Sequence, residues 1–449
     1  MIEIESEEIL AEKFKIIGGE TLKGEVSIGG AKNAVLKLLA ATILVKGSTK
    51  IYNVPHLTDV DIMLNVLSDL GAKCVYNKME KSVVVDAADI TSITAKYELV
   101  SKMRASFIIL GALMSRCREA IVALPGGCAI GERRVDFHIK GLEALGAKIK
   151  IENGYVHAKA SKLVGTDIYL DIPSVGATEN LMLASVLAEG STRIQNAAQE
   201  PEIIDLANFL NTLGADISGA GTSEIIINGV KVEDLHSVEY TTIPDRIEAG
   251  TFMAAVVATR GKAIIKNVYP AHLTFFNDKL IKMGASIKLV EPTTIEVSCK
   301  NRLNSINFVT QPYPGFPTDL QAIAMTLLTT ANGVGIITES LYENRFMQVP
   351  DLRRMGADIH QDRNHAIIKG VKNLTGATVA ASDLRAGAAL VIAGLMANGE
   401  TIVEKLHHID RGYEEFEYKL SNLGAKIKRY NEENTGDGII SPAINIRGI

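Results

Sequence analysis

A glycine-rich segment near residue 128 contains the side chains best suited to acid–base or nucleophilic chemistry. Cys128 lies among glycines and is followed closely by Arg133 and Arg134. Nearby guanidinium groups favour the thiolate form of a cysteine, and glycines let a loop adapt to a ligand. The pattern predicts that Cys128 is a nucleophile or a proton donor. An inert thiol is the alternative, and this segment alone leaves that alternative open.

Charged and amide side chains also precede several apolar segments with helical spacing. They are Lys32, Asn33, Arg104, Asp245, Arg246, Glu248, Asp319, Asp383 and Arg385. Helix capping explains the aspartates and the asparagine equally well. Capping does not explain the lysine and the arginines, because a cation opposes the positive end of the helix dipole. We therefore expect these helix starts to bind an anionic ligand.

An internal repeat supplies the elements that position these residues. A Leu/Met-Gly-Ala tripeptide recurs at intervals of 68 to 75 residues, with its glycine at positions 71, 146, 214, 284, 356 and 424. Each tripeptide follows an amphipathic segment and precedes a short strand-like run. The glycine is therefore expected to end a helix in the left-handed conformation. A fixed period of this length predicts six sizeable α/β units.

A second, more apolar helix is expected in every unit. The six segments are 33–44, 105–115, 178–188, 249–258, 319–330 and 387–397. A helix that is apolar on all sides is normally buried. Three units can bury three such helices, which predicts two pseudo-symmetric domains. The strand-like residues 14–17 and 24–28 could join either half, and residues 242–248 are the expected crossing between the halves.

Composition narrows the class of protein. The chain has 449 residues, a formal net charge of −5, 22% charged residues and 5% aromatic residues. A mildly acidic chain without tryptophan lacks the basic, stacking surface of nucleic-acid binders. No apolar stretch has the length of a membrane span, and the acidic N-terminus is unlike a signal peptide. Four scattered cysteines and the absence of metal-ligand spacing favour a reduced, cytoplasmic protein without a metal.

Nine short motifs, in order along the chain, resemble those of the UDP-N-acetylglucosamine 1-carboxyvinyltransferases, a family of enolpyruvyl transferases. The resemblance covers about residues 14–430. Its motifs are GAKNA at Lys32, MRAS at Arg104, LPGGCAIG at Cys128, SVGAT at Ser174, PDRIEAGT at Arg246, FPTD at Asp319, ENRFM at Arg345, DLRA at Arg385 and HIDRGY at Arg411.

The resemblance implies an α/β fold, an inside-out α/β barrel of two pseudo-symmetric domains with three βαβαββ-type repeats each. One domain would comprise residues 32–244, and the other residues 1–31 plus 245–449. The implied reaction transfers the enolpyruvyl group of phosphoenolpyruvate to the 3′-hydroxyl of UDP-N-acetylglucosamine and releases phosphate. It proceeds by addition and elimination and begins peptidoglycan synthesis.

The resemblance also implies roles for individual residues. Cys128 would be the general acid and the target of the epoxide antibiotic fosfomycin, and Asp319 the base or hydroxyl-orienting group. Lys32 and Arg411 would also be catalytic. The residues implied for phosphoenolpyruvate are Lys32, Asn33, Arg133, Arg385 and Arg411. Those implied for the UDP-sugar are Asn33, Arg104, Arg133, Arg134, Val135, Asp136, Phe137, Ser174, Val175, Gly176, Asp319 and Leu341. Arg345 would link the two domains.

No metal or organic cofactor is implied, and the expected state is a monomer with two small-molecule substrates. Two alternatives stay open at this point. One is a 5-enolpyruvylshikimate-3-phosphate synthase, whose family lacks the Gly-Gly-Cys loop. The other is a non-catalytic paralogue that binds UDP-sugar, in which some of the residues named above would be expected to be lost.

Overall fold

The computed structural model describes residues 12–126 and 135–431. Within these ranges, the helices are α1 (Lys32–Ala41), α2 (Thr58–Asp69), α3 (Tyr97–Val100), α4 (Ile109–Cys117), α5 (Asp136–Ala144), α6 (Val175–Ser185), α7 (Pro201–Leu213), α8 (Arg246–Ala258), α9 (Thr274–Met283), α10 (Gln321–Thr329), α11 (Val349–Arg354), α12 (Leu384–Met396) and α13 (Phe416–Asn422). None of them is long and apolar enough to cross a membrane.

The strands are short and evenly distributed along the same ranges. They are β1 (Lys13–Ile17), β2 (Lys23–Ser27), β3 (Ser48–Tyr52), β4 (Lys73–Asn77), β5 (Ser82–Asp86), β6 (Thr94–Ala95), β7 (Glu119–Ala123), β8 (Lys148–Glu152), β9 (Tyr155–Lys159), β10 (Asp167–Tyr169), β11 (Ser191–Gln195), β12 (Asp216–Ser218), β13 (Glu224–Asn228), β14 (Glu239–Thr241), β15 (Lys262–Lys266), β16 (Ser286–Glu291), β17 (Thr294–Ser298), β18 (Phe308–Val309), β19 (Val334–Thr338), β20 (Asp358–Asp362), β21 (His365–Lys369), β22 (Thr378–Ala380), β23 (Glu400–Glu404) and β24 (Lys426–Tyr430).

These strands form six four-stranded sheets with one shared pattern. The sheet orders are β14-β3-β5-β4, β6-β7-β9-β8, β10-β11-β13-β12, β2-β15-β17-β16, β18-β19-β21-β20 and β22-β23-β1-β24. In each sheet the first two strands are parallel and the remaining pairs are antiparallel. A parallel pair requires a crossover. In four sheets a buried helix, α4, α6, α10 or α12, lies between the two parallel strands in the chain. In the other two sheets the parallel strands come from distant parts of the chain, because β2 leads through α1 to β3 and β14 leads through α8 to β15. The prediction of six βαβαββ-type units in an α/β fold is confirmed.

The glycines of the six tripeptides end their helices as expected. All six have φ between 90° and 112°, in the left-handed region. At Gly214 and Gly284 the backbone N–H of the glycine bonds a carbonyl three residues back in the preceding helix. A side chain with a Cβ is strained in this conformation, which explains the recurrence of glycine.

The apolar helices are buried, and three of them begin earlier than predicted. Ser174, Asp245 and Asp383 cap α6, α8 and α12 through their side-chain oxygens, so these helices start about one turn before the predicted residue. This adds Gly176, Arg246 and Arg385 to first helical turns. Apolarity marked the buried part of each helix but gave no signal for its polar first turn.

The buried hydrophobic side chains form two separate clusters. One contains residues 35–235, and the other joins residues 14–28 to residues 247–427. Accordingly, β1 pairs with β23 and β24, and β2 pairs with β15. The first half of the chain closes in the same way, since β14 pairs in parallel with β3. On this basis we propose two domains, 32–244 and 1–31 plus 245–449.

Two chain segments cross between these halves side by side. The backbone N–H of Ala31 donates to the carbonyl of Ile243 at 2.8 Å, and that of Asp245 donates to the carbonyl of Gly29 at 2.9 Å. A Cβ on Gly30 would lie 1.6 Å from the Asn53 carbonyl oxygen, so only glycine fits this approach. The paired segments place the first turns of α1 and α8 next to each other.

Candidate active site

The first turn of α1 is capped from the other half of the molecule. The backbone N–H of Lys32 donates to Asp245 Oδ2 at 3.2 Å. The other oxygen of Asp245 accepts from the first turn of its own helix, α8. Ala31, the residue before α1, has no side chain that could cap the helix. Asp245 therefore fixes Lys32 and Asn33 relative to the second half.

A buried carboxylate lies between two of the expected anion-binding cations. Asp59, in the first turn of α2, is 1% exposed. Its Oδ2 is 2.6 Å from Lys32 Nζ, and its Oδ1 accepts from Arg411 Nε at 2.8 Å. Asp59 and Lys32 belong to the first half, whereas Arg411 belongs to the second. Asp59 has no distinctive sequence signal, because an aspartate in a first helical turn is usually an ordinary favourable contact with the helix dipole.

Burial and charge act in opposite directions on this group. Burial is the largest effect on Lys32 and, with the charges of Arg385 and Arg411, holds its pKa below the usual value, although Asp59 raises it. Burial would raise the pKa of Asp59, but Lys32 and Arg411 together hold it below the usual value. The two ion pairs of Asp59 hold Lys32 and Arg411 next to each other, and the charge of Arg385 also acts on Lys32.

Asp319 lies at the start of α10 and is held by two guanidinium groups. Its Oδ1 accepts from Arg345 Nη2 at 2.8 Å, and its Oδ2 accepts from Arg385 at 3.0 and 3.2 Å. Arg385 is buried in the first turn of α12, with its guanidinium 5.4 Å from the ring centroid of Tyr413. Glu339 accepts hydrogen bonds from the hydroxyl of Thr318, next to Asp319, and from the backbone N–H of Leu341, both at 2.9 Å. The group thus joins a carboxylate to the cation cluster.

The ion pair of Arg345 differs from the expected link between domains. Arg345 bonds Asp319, and both residues belong to the second half. Other pairs connect the halves: Arg411 with Asp59, Arg246 with Glu202, and Lys81 with Glu414. The position of the buried Arg345 is therefore explained by its pairing with the partly exposed Asp319 rather than by the domain boundary.

A second group of predicted residues gathers at the starts of α4, α5 and α6. Arg104 lies in a 3₁₀ turn before α4 that contacts α1. Its charge, added to burial, holds the pKa of the buried His138 at about 3, so this ring is neutral. The His138 ring faces Gly176, where an added Cβ would lie 3.4 Å from it. Ser174 and Val175 begin α6, and Val135, Asp136 and Phe137 begin α5.

His138 was not singled out from the sequence, and its role is to fix other residues. Asn180 Nδ2 lies 2.8 Å from His138 Nδ1 and also donates to the Phe107 carbonyl at 3.2 Å. These contacts join α4, α5 and α6 near their starts. A lone histidine in an apolar helix gives no sequence signal that separates such a role from simple burial.

Three predicted residues fall outside the described ranges. They are Cys128, Arg133 and Arg134, so the proton donor and the expected adaptable loop have no structural account. The other cysteines, Cys74, Cys117 and Cys299, are free thiols, and burial raises the pKa of each. Within residues 12–126 and 135–431, no group of three or more His, Cys, Asp or Glu side chains could hold a metal ion.

The arrangement suits a reaction between an anion and a hydroxyl group. Lys32, Arg385 and Arg411 supply charge-assisted donors for carboxylate or phosphate oxygens. Asp319 supplies an oxygen acceptor next to Arg385. The helix starts around Arg104 and Ser174 add backbone N–H groups of the kind that bind phosphates.

Comparison with known proteins gives consistent results. Residues 16–420 match the family EPSP synthase (3-phosphoshikimate 1-carboxyvinyltransferase). The chain is 55% identical over 422 residues to UDP-N-acetylglucosamine 1-carboxyvinyltransferase 2 of Carboxydothermus hydrogenoformans, covering 94% of this chain and 100% of that protein. It is 50% identical over 423 residues to UDP-N-acetylglucosamine 1-carboxyvinyltransferase 1 of Staphylococcus aureus strain N315, with the same coverage of both.

Solved structures agree with the sequence comparison. The enolpyruvyl transferase NikO from Streptomyces tendae has a TM-score of 0.85 and 26% identity, over 94% of this chain and 99% of that one. EPSP synthase from Acinetobacter baumannii has a TM-score of 0.70 and 18% identity, over 94% of this chain and 100% of that one. The second likeness bears on the fold alone, and the fold is the expected inside-out α/β barrel with two halves.

Proposed function

The chain belongs to the enolpyruvyl transferases of the EPSP synthase family, and we propose that it acts as a UDP-N-acetylglucosamine 1-carboxyvinyltransferase. It transfers the enolpyruvyl group of phosphoenolpyruvate to the 3′-hydroxyl of UDP-N-acetylglucosamine and releases phosphate. The observation that carries this function is identity of 50–55% to relatives of that name over 94% of the chain. The pairing of Lys32 and Arg411 through Asp59, and of Arg385 with Asp319, supports it.

The proposed mechanism is addition followed by elimination. In the addition, the sugar 3′-oxygen bonds to C2 of phosphoenolpyruvate, its proton passes to Asp319, and Cys128 donates a proton to C3. In the elimination, the C2–O bond to phosphate breaks and phosphate leaves with the bonding electrons, taking up the proton held by Asp319. C3 returns a proton to the Cys128 thiolate formed in the addition, which restores the double bond and both side chains. Acid and base must therefore act on opposite ends of one double bond.

The cations have a separate part in this proposal. Lys32, Arg385 and Arg411, with Arg133, hold the carboxylate and phosphate groups of phosphoenolpyruvate and stabilise the charge of the leaving phosphate. Asn33, Arg104, Arg134, Leu341, residues 135–137 and residues 174–176 hold the UDP-sugar. A place in peptidoglycan synthesis, a cytoplasmic location, sensitivity to fosfomycin and a monomeric state belong to the same proposal.

Phosphate release measured with two acceptors tests the function. With phosphoenolpyruvate present, UDP-N-acetylglucosamine should give rapid release, whereas shikimate 3-phosphate should give release at the level of the blank. Release with shikimate 3-phosphate alone would favour the sister activity. If no phosphate is released with either acceptor, the enzyme assignment is contradicted and a non-catalytic UDP-sugar-binding protein is favoured.

Two cysteine variants serve as matched controls for the same assay. Cys128→Ser should lose phosphate release and labelling by fosfomycin, because the serine hydroxyl is a far weaker acid and nucleophile. Cys74→Ser should keep both, since burial raises the pKa of this thiol and its residue has no part in the site. Unchanged labelling of Cys128→Ser would show that another thiol reacts.

A further inference from the structure

Asp59 forms ion pairs with two proposed substrate-binding cations, Lys32 and Arg411, that belong to different halves of the molecule. We propose that Asp59 is a positioning residue for the enolpyruvyl transfer. Its carboxylate orients Lys32 and Arg411 so that both cations bind the anionic donor substrate at once. The inference rests on the proposed function. It adds a residue that neither the sequence motifs nor the assigned roles include.

The burial of the three side chains indicates which side the substrate approaches from. The side chain of Asp59 is 1% exposed, whereas those of Lys32 and Arg411 are 11% and 36% exposed. The carboxylate therefore lies deeper than both cations, and Arg411 is the more exposed of the two. Each cation retains N–H donors that Asp59 does not use. An anion can bind them from the exposed side while Asp59 stays in place.

Both oxygens of Asp59 are committed to separate cations, which sets their geometry. Oδ2 contacts Lys32 and Oδ1 contacts Arg411, at 2.6 and 2.8 Å. A buried carboxylate needs partners in good geometry, so the pairs hold two flexible side chains in one arrangement. Two cations with one carboxylate still leave a net positive charge for the substrate. Capping of α2 does not account for this arrangement, because both oxygens point to other elements.

The same contact joins the halves at the site. Thr58 N–H donates to the Asp410 carbonyl at 3.5 Å, and His56 N–H donates to Glu414 at 2.9 Å. The segment that carries Arg411 is thus aligned along the start of α2. Because small displacements of a reacting group reduce rates steeply, losing this alignment should weaken the donor site.

The charges around Lys32 determine how its titration responds to Asp59. The described charged groups that face it are Asp59 from α2, Asp245 from the start of α8, Arg385 from α12 and Arg411 from the segment before α13. His408 lies near Arg411 and has a pKa lowered by burial. Asp59 is the group that raises the pKa of Lys32 against burial. Removing its charge should lower that pKa further, so Lys32 loses its proton at a lower pH.

Steady-state kinetics of three variants test the proposal. Asp59→Asn removes the charge and keeps the shape, Asp59→Glu keeps the charge and moves it by one methylene, and Lys81→Met removes another ion pair between the halves. Lys81 pairs with Glu414 at 2.6 Å and contacts neither cation. For each variant, kcat, both KM values and the pH profile of kcat/KM for phosphoenolpyruvate are measured.

Asp59→Asn should reduce kcat/KM for phosphoenolpyruvate by about 100-fold, the loss expected for misplaced groups. The KM for UDP-N-acetylglucosamine should change far less. The alkaline limb of the profile should move about one to three pH units lower, as for loss of a neighbouring opposite charge. Asp59→Glu should lose activity without moving that limb, and Lys81→Met should match the unchanged protein.

Each of the other results would overturn the positioning role. If the alkaline limb of the pH profile does not move in Asp59→Asn, Asp59 has a structural role only. The same follows if Lys81→Met lowers kcat/KM for phosphoenolpyruvate as much as Asp59→Asn does. Calorimetric binding of phosphoenolpyruvate to the same variants separates this inference from the proposed function. If the unchanged protein releases no phosphate, the function fails, and equal binding by Asp59→Asn would refute the positioning role as well. If Asp59→Asn does not fold, the pH profile of Asp59→Glu tests the proposal instead. This variant keeps the negative charge, so a shift of its alkaline limb would contradict the proposal that the charge of Asp59 sets the pKa of Lys32.

Discussion

Cations at the starts of the buried helices are paired with carboxylates from other elements. Lys32 pairs with Asp59, Arg385 with Asp319, and Arg246 with Glu202. A cation at a helix start therefore does not by itself indicate an anionic ligand at Arg246, because its partner Glu202 accounts for its charge. Lys32 differs, since its ammonium retains N–H donors that Asp59 does not use.

The buried environment of Glu179 disfavours the ionised form of its carboxyl group. It is fully buried on α6, and its nearest cation is Lys37, at 3.4 Å. Neither carboxyl oxygen has a hydrogen-bond partner among the described residues. Burial is the main cause that raises its pKa to about 7, with Glu202 and Glu200 adding to it.

This gives a prediction for stability against pH. Because the folded-state pKa exceeds the ordinary value, Glu179 contributes stability below about pH 4.5 that is lost as the pH rises through about 7. Glu179→Gln cannot ionise, so the advantage of the unchanged protein over this variant should shrink between pH 5 and pH 8. The change should reach up to about 3 kcal/mol. Chemical denaturation at several pH values measures it.

The exposed Glu152 provides the control for this experiment. It lies in β8 with an exposed side chain, so Glu152→Gln should follow the unchanged protein across the same pH range. A constant difference between Glu179→Gln and the unchanged protein would mean that Glu179 is ionised throughout. Lys37 would then balance its burial fully.

At the scale of elements, the close contact between α4 and α6 depends on one glycine. A Cβ on Gly111 would lie 2.2 Å from both the backbone and the side-chain oxygen of Asn180. Asn180 in turn bonds His138 and the Phe107 carbonyl. Any displacement of this asparagine therefore reaches the starts of α4, α5 and α6.

Gly111→Ala should consequently destabilise the protein, although the same change in an open helix stabilises by about 1 kcal/mol. Overpacking of a rigid backbone contact costs about 1–3 kcal/mol. The KM for UDP-N-acetylglucosamine should also rise, because Arg104 and Gly176 lie beside His138. Thermal unfolding and kinetics measure the two effects. Gly394→Ala is the control. A Cβ added at Gly394 would lie 3.1–3.3 Å from side-chain atoms of Ile16 and Thr401, and it would meet no backbone atom as closely as at Gly111. Equal stability of both variants would contradict the prediction.

Much of the element order could be predicted from the sequence, and the reasons are local. Glycine at a helix end and an all-apolar helix are signals within a few residues, so the six units and their buried helices were found. The pairing of β14 with β3, or of β1 with β23, joins residues far apart in the chain and has no local signature. The ion pairs of Asp59 likewise have no local signature, since its partners lie on α1 and before α13.

At the scale of the whole molecule, two hydrophobic cores are joined by polar contacts. The crossing segments pair through the backbone N–H groups of Ala31 and Asp245. Next to Asp245 in the chain, Arg246 forms a buried ion pair with Glu202, in which Nε lies 3.0 Å from Oε1. Burial lowers the pKa of Arg246, but the charge and hydrogen bonding of Glu202 leave it above the usual value. The pair therefore stabilises the contact between the halves rather than either core.

Glu202→Gln should uncouple the two halves in calorimetric unfolding. Without Glu202, buried Arg246 loses its hydrogen-bonded carboxylate and keeps only the charge effects of Glu200 and Asp319. Breaking such a buried pair costs about 3–5 kcal/mol while the halves remain in contact. Separation returns Arg246 to water and removes that cost, whereas each core keeps its own packing. One cooperative transition should thus broaden or split into two. Glu224→Gln, which alters an exposed pair with Arg193 at 3.9 Å, should leave a single transition shifted little. A single, uniformly lowered transition in Glu202→Gln would show instead that the two cores unfold as one unit held by contacts other than this pair.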